Sequence, residues 1–168
     1  MNTDMFSEGQ TVTRQREHEA TEAWPNFASE ESIARREEVR QFGMMQVAFM
    51  RTGGLAMDDF VVDQIRRHAS QPISVLAHWI VERIIVGFQW ESRTLVPLFQ
   101  FNPVDMTPWP GTCEIVRELI DVFDDWDLAV WFAQPNCWLG HESPVDAIKH
   151  NQPAVHQAAR ADRFITRG

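Results

Sequence analysis

Apolar residues recur at helical spacing as far as Arg83, in strand-like runs over residues 84–101, and again at helical spacing beyond a proline-rich connector. A chain that changes period twice is neither a pure helical bundle nor a sheet protein. The pattern predicts a mainly α fold with one β-hairpin. Ser29 opens the first predicted helix, with Glu30 and Glu31 in its first turn and Val39, Phe42, Met45, Phe49 and Met50 following until Gly53 and Gly54. Asp58 to His68 predicts a second helix and Pro72 to about Glu82 a third, with Ile73, Leu76, Trp79 and Ile80 as its apolar stripe. Ile84–Trp90 and Leu95–Phe101, separated by a short polar segment, read as the hairpin; Pro97 cannot donate to a ladder, which places its strand at an edge or a bulge.

Pro103, Pro108 and Pro110 make Asn102–Gly111 a connector and the expected domain boundary. Beyond it, Thr112 should cap a helix carrying Ile115, Val116, Leu119, Ile120 and Phe123, and Asp124 with Asp125 should start another that Pro135 ends. Ser143, Pro144 and Asp146 open a short helix, and Pro153 a last one to about Ile165. The expected organisation is a disordered polar tail over residues 1–28 anchored at most by Trp24 and Phe27, a helical, helix-turn-helix-like part with the hairpin over 29–101, and a small C-terminal helical bundle over 102–168.

Composition narrows the function. With 24 acidic against 15 basic residues, a net charge of −9 and a pI near 5.0, the chain cannot coat phosphate generally, so any DNA contact must be local. No apolar run is long enough for a membrane span, and the N-terminus lacks the basic-then-apolar order of a signal peptide, which together predict a cytoplasmic protein. Cys137 and His141 stand four apart, with Cys113, His150 and His156 elsewhere, but zinc wants converging pairs on turns, so no metal is expected. Cys137 reads as a packed small hydrophobe; a Cys137 nucleophile assisted by His141 or His150 is the enzymatic alternative. Asp124, Asp125 and Asp127 are explained by capping and the helix dipole. With no glycine-rich phosphate loop, nucleophile elbow or HExxH, neither catalysis nor a cofactor is expected.

The order helix, turn, helix, hairpin over Asp58–Phe101 is that of a winged helix-turn-helix. On that reading Gln71, Ser74 and His78 would face bases, with Arg83, Arg93, Arg66 and Arg67 toward phosphates. Acids outnumber bases five to four in this segment, which argues for a packing or dimerisation module instead. Among the tryptophans, Trp131 belongs to an apolar helix side, whereas Trp138 lies between helices and is the better candidate for an exposed partner contact.

From Leu98 onward the residues carry a family likeness. LFQFNP, then FDDWDLAVWFAQPNCWLGHESPVDAI, then AVHQAARADRF resemble the toxin-binding domain of the MbcA/ParS/Xre antitoxin family over Leu98–Phe164. Trp126, Trp131, Gln134-Pro135-Asn136, Leu139-Gly140 and Ser143-Pro144 with Asp146-Ala147 carry the match; the first 54 residues depart from the compact family pattern. The resemblance implies an antitoxin that binds a RES-domain toxin, a protein that degrades NAD, and blocks its active site. It also implies a homodimer that binds its own operator DNA. The contacts it implies fall near the C-terminus, on Arg160, Arg163, Phe164 and Arg167. A transcriptional regulator without a toxin partner is the alternative.

Overall fold

The structure of the chain, a computed structural model, describes residues 25–168, with side chains from Glu30 onward. Of the predicted tail, residues 1–24 and the side chain of Phe27 lie outside the described residues, and Pro25–Ala28 already belong to the first helix, α1 (Pro25–Met50). The chain divides within this helix, at Arg40. Up to Arg40 the described turns are solvent-facing and laced by local ion pairs, Arg35 with Glu38 and Arg40 with Glu37. The second unit is Gln41–Gly168.

In the second unit the end of α1 leads through Gly53 and Gly54, both at positive φ, into β1 (Leu55–Met57). Glycine is needed at position 53, because a Cβ there would stand 2.9 Å from the Cβ of Leu98. Then follow α2 (Asp58–Ile65), α3 (Pro72–Val81), β2 (Phe88–Trp90) and β3 (Arg93–Pro97). The strands form an antiparallel sheet in the order β1-β3-β2, so the protein is mainly helical with a three-stranded sheet rather than a lone hairpin. Glu91 and Ser92, both at positive φ, make the two-residue turn that the twist of a hairpin favours. Pro97 is not on an edge. It ends the central strand opposite Leu55, where the next residue, Leu98, donates to Gly54 and the ladder continues past the missing N–H.

A 3-10 turn (Leu98–Gln100) leaves the sheet, and four helices follow: α4 (Pro110–Leu119), α5 (Asp125–Ala133), α6 (Pro144–Ala147) and α7 (Gln152–Arg167). The connector does not separate two bodies. Along β1, Leu55 packs with the C-terminal helices and Ala56 with α2 and α3; along β3, Leu95 and Val96 divide in the same way. The period of two thus gives the sheet two apolar faces. One core joins Met45, Phe49 and Phe88 to Ile115, Leu119, Leu128, Phe132 and Val155; the other gathers Val61, Ile65, Leu76, Ile85, Val96 and Phe101. Thr112 is buried inside α4 and not its cap; the helix begins at Pro110, whose missing N–H suits the first turn. Asp124 does cap α5, accepting from the Asp127 N–H at 2.8 Å.

Two polar devices fasten the halves. Gln100, 1% exposed, accepts from the Val86 N–H at 2.7 Å and donates to the carbonyls of Val86 (2.7 Å) and Pro97 (2.9 Å). Arg83, at positive φ, donates to the carbonyls of Ile120 and Phe123 beyond the end of α4 and pairs with Asp125 at 2.9 Å. Around them Trp90 stacks between Phe42 and Trp126, with centroids at 4.1 and 5.6 Å. Replacing Gln100 by Leu strands three buried backbone groups. Gln100→Leu should cost about 3 kcal/mol, read as a fall in the urea midpoint with an unchanged slope.

Candidate functional site

α5 is buried on all sides from Leu128 to Ala133, and its end is set by Pro135, which forces Gln134 out of the helical region. The loop that follows is folded on itself. The Asn136 side chain accepts from the Trp138 N–H at 2.9 Å, Cys137–Leu139 form a 3-10 turn, and Gly140 and His141, both at positive φ, return the chain so that the Asn136 N–H reaches the Glu142 carbonyl. Across from this loop runs α7, capped by Asn151 and buried along Val155, Ala158 and Ala159.

One residue of α7 holds the loop. The carboxylate of Asp162 accepts from the indole Nε1–H of Trp131 (2.7 Å), the amide of Asn136 (2.8 Å) and the indole Nε1–H of Trp138 (2.9 Å). Trp131 is buried, but Trp138 leaves 54% of its surface open, fixed at its nitrogen with its ring available. Ile165 lies one turn beyond Asp162 on the same side of α7, and it is 63% exposed. Phe164, one residue earlier, is 78% exposed and shares a face with Arg160, which is exposed and has no ion pair.

The other two predicted arginines are engaged within the chain. Arg163 stands 2.5 Å from Glu118 Oε2, close but outside hydrogen-bonding alignment, and His156 approaches the other oxygen at 3.5 Å. Arg167 pairs with Asp121 at 2.6 Å. These contacts hold α7 against α4 and the turn after it, and they leave Trp138, Arg160, Phe164 and Ile165 exposed. Sequence reading missed Ile165 and Asp162; the only signal for the latter was that two indoles and an amide near one another need an acceptor.

The residues expected to read DNA separate as well. Gln71, Ser74 and His78 are exposed, Gln71 just before α3 and the other two on it. Arg93 is exposed and reaches the Met57 sulfur at 2.8 Å, and Arg66 pairs with Asp63. Arg83 is withdrawn from any phosphate, because all its bonds go to the turn after α4 and to Asp125.

Cys137 is exposed and not packed as expected, since the 3-10 turn points it outward; Cys113 is half-buried, and burial raises its thiol pKa against the opposing pull of Arg117. Burial likewise raises the Asp127 carboxyl, with Asp124 adding to it. Among the described residues no three His, Cys, Asp or Glu side chains converge as a metal would require, and no helix is long and apolar enough to cross a membrane. The chain matches no family model, and comparisons with curated proteins and with solved structures found no match.

Two outcomes follow. Asp162→Asn should shift the indole N–H resonances of Trp131 and Trp138 together and cost about 2 kcal/mol of stability, measured by heteronuclear NMR and urea unfolding. Iodoacetamide at pH 8 should modify Cys137 at least about ten times faster than Cys113, because exposure favours the first and a raised pKa withholds thiolate from the second; peptide mass spectrometry gives the ratio.

Proposed function

We propose that the protein is an antitoxin-like inhibitor that occludes the active site of a RES-domain, NAD-degrading toxin. The observation that supports this reading most is the fixed indole of Trp138 beside a terminal helix whose last turns expose Phe164 and Ile165. An indole held at its nitrogen, with exposed aromatic and aliphatic side chains on the helix that holds it, offers apolar anchors that a protein cleft can bury. Asp162 spends both carboxylate oxygens on three donors, which suits a structural anchor better than a general base. In this mechanism the end of α7 enters the toxin's cleft, Phe164 and Ile165 fill apolar space, and Arg160 pairs with an acidic or polar wall. No bond is made or broken by this chain. The residues carrying the family likeness supply the toxin's identity.

A second reading rests on a different observation. What supports it is the element order β1, α2, α3, β2, β3 with the strands paired β1-β3-β2, an order that a winged helix-turn-helix would also need, and the exposure of Gln71, Ser74 and His78 on or just before α3. This supports a DNA-binding homodimer acting as its own repressor, or a regulator with no toxin at all. The acidic balance of the segment and the diversion of Arg83 weigh against it.

Co-expression with a RES-domain protein encoded beside this chain should restore cellular NAD. Phe164→Glu with Ile165→Glu should weaken the purified complex at least about tenfold, or about 1.4 kcal/mol, with Tm unchanged because both side chains are exposed. Calorimetry that finds no complex, together with a gel shift on the upstream DNA at physiological salt, would replace the first reading by the second.

A further inference from the structure

Between α2 and α3 runs a groove apart from the residues on which the two readings above rest. It encloses about 470 Å³ between Val62, Leu76, Ala77 and Ile80, with Ile73 at one side. Ile73 and Val81, at the two ends of an i, i+4, i+8 stripe through Ala77, are 67% and 76% exposed. The stripe spans nine residues, eight helical rises or about 12 Å, which matches two turns of a docked helix.

The rim is acidic. Asp58, Asp59 and Asp63 line the groove together with Arg66. Among the described residues Arg66 pairs with Asp63 alone, at 3.0 Å, while the side chains of Asp58 and Asp59 each accept a single backbone N–H from the next residue and pair with no cation. Two uncompensated carboxylates thus stand at the mouth of an apolar slot.

The geometry points to a docking site for a cationic amphipathic helix of a partner protein, its apolar residues in the slot and its Lys or Arg against Asp58 and Asp59. Charge selects this occupant. A second copy of the chain, meeting groove with groove about a two-fold axis, would bring two acidic rims into one interface. A nucleic-acid backbone would meet them with its own negative charge. The site includes none of Trp138, Arg160, Phe164 or Ile165, so it stands or falls apart from the toxin reading.

The test uses the full chain and three fluorescent helical peptides: one with Leu at i, i+4, i+7 and i+11 flanked by Lys, one with each Lys replaced by Glu, and one with the first composition scrambled. The Lys peptide should bind saturably by anisotropy, at least about ten times tighter than the other two, and weaken as salt is raised. Asp58→Lys with Asp59→Lys should reverse the preference between Lys and Glu peptides. Those aspartates also open α2, so Ile73→Ser, at an exposed position that leaves the fold unaffected, provides an independent check with an expected loss of at least about tenfold. Equal binding of all three peptides, no binding, an unchanged preference in Asp58→Lys with Asp59→Lys, or an unchanged affinity in Ile73→Ser overturns the proposal. So does concentration-dependent self-association that Ile73→Ser abolishes, or displacement of the peptide by duplex DNA.

Discussion

A sheet of three short strands with apolar residues on both faces has to be covered twice, and this constraint organises the second unit. Leu55 and Leu95 on one face, Ala56 and Val96 on the other, require a helical layer on each side. The α2–α3 pair supplies one and the C-terminal helices with the end of α1 supply the other. Gln100 sits where the sheet hands the chain to the second layer, and it satisfies the backbone of Val86 and Pro97 at a point no water reaches. The exposed end of α7 and the groove on α2–α3 thus belong to the two helical layers that cover one small sheet.

Much of this was legible in the sequence. Helix positions followed from the apolar period, Asp124 capped as its type suggests, and Trp138 was singled out by lying between helices. The misses share a cause, which is dependence on distant partners. A three-residue strand after two glycines is too short to show alternation, so β1 became visible only through its pairing with β3. Pro97 was placed at an edge because its missing donor was counted without knowing that it ends the strand. Arg83 looked like a phosphate contact because its acceptors, 37 and 40 residues on, are carbonyls that no pattern announces. Asp162 was passed over for the same reason: its donors lie 24 to 31 residues earlier.

The ion pairs of α7 show how a composition argument is refined by structure. Three arginines and Phe164 near the C-terminus read equally as partner contacts, yet two of the arginines are matched to acids after or within α4. The Arg167–Asp121 pair is exposed and adds little stability, the Arg163–Glu118 pair is partly buried, and together they fix the rotation of α7 on its neighbour. That rotation decides which side chains are left outward, and it leaves Phe164 and Ile165 there.

The anchoring of Trp138 through Asp162 also bears on how this chain can be divided. Helix α7 is both a covering of the core, through Val155, Ala158 and Ala159, and the holder of a loop that belongs to the preceding helix. A shortened chain ending before Asn151 would uncover the core and release the indole at once, so loss of binding in such a fragment would carry no information about where the partner touches. The loop and the helix thus form one mechanical unit, in which a change at position 162 is felt at positions 131, 136 and 138 together.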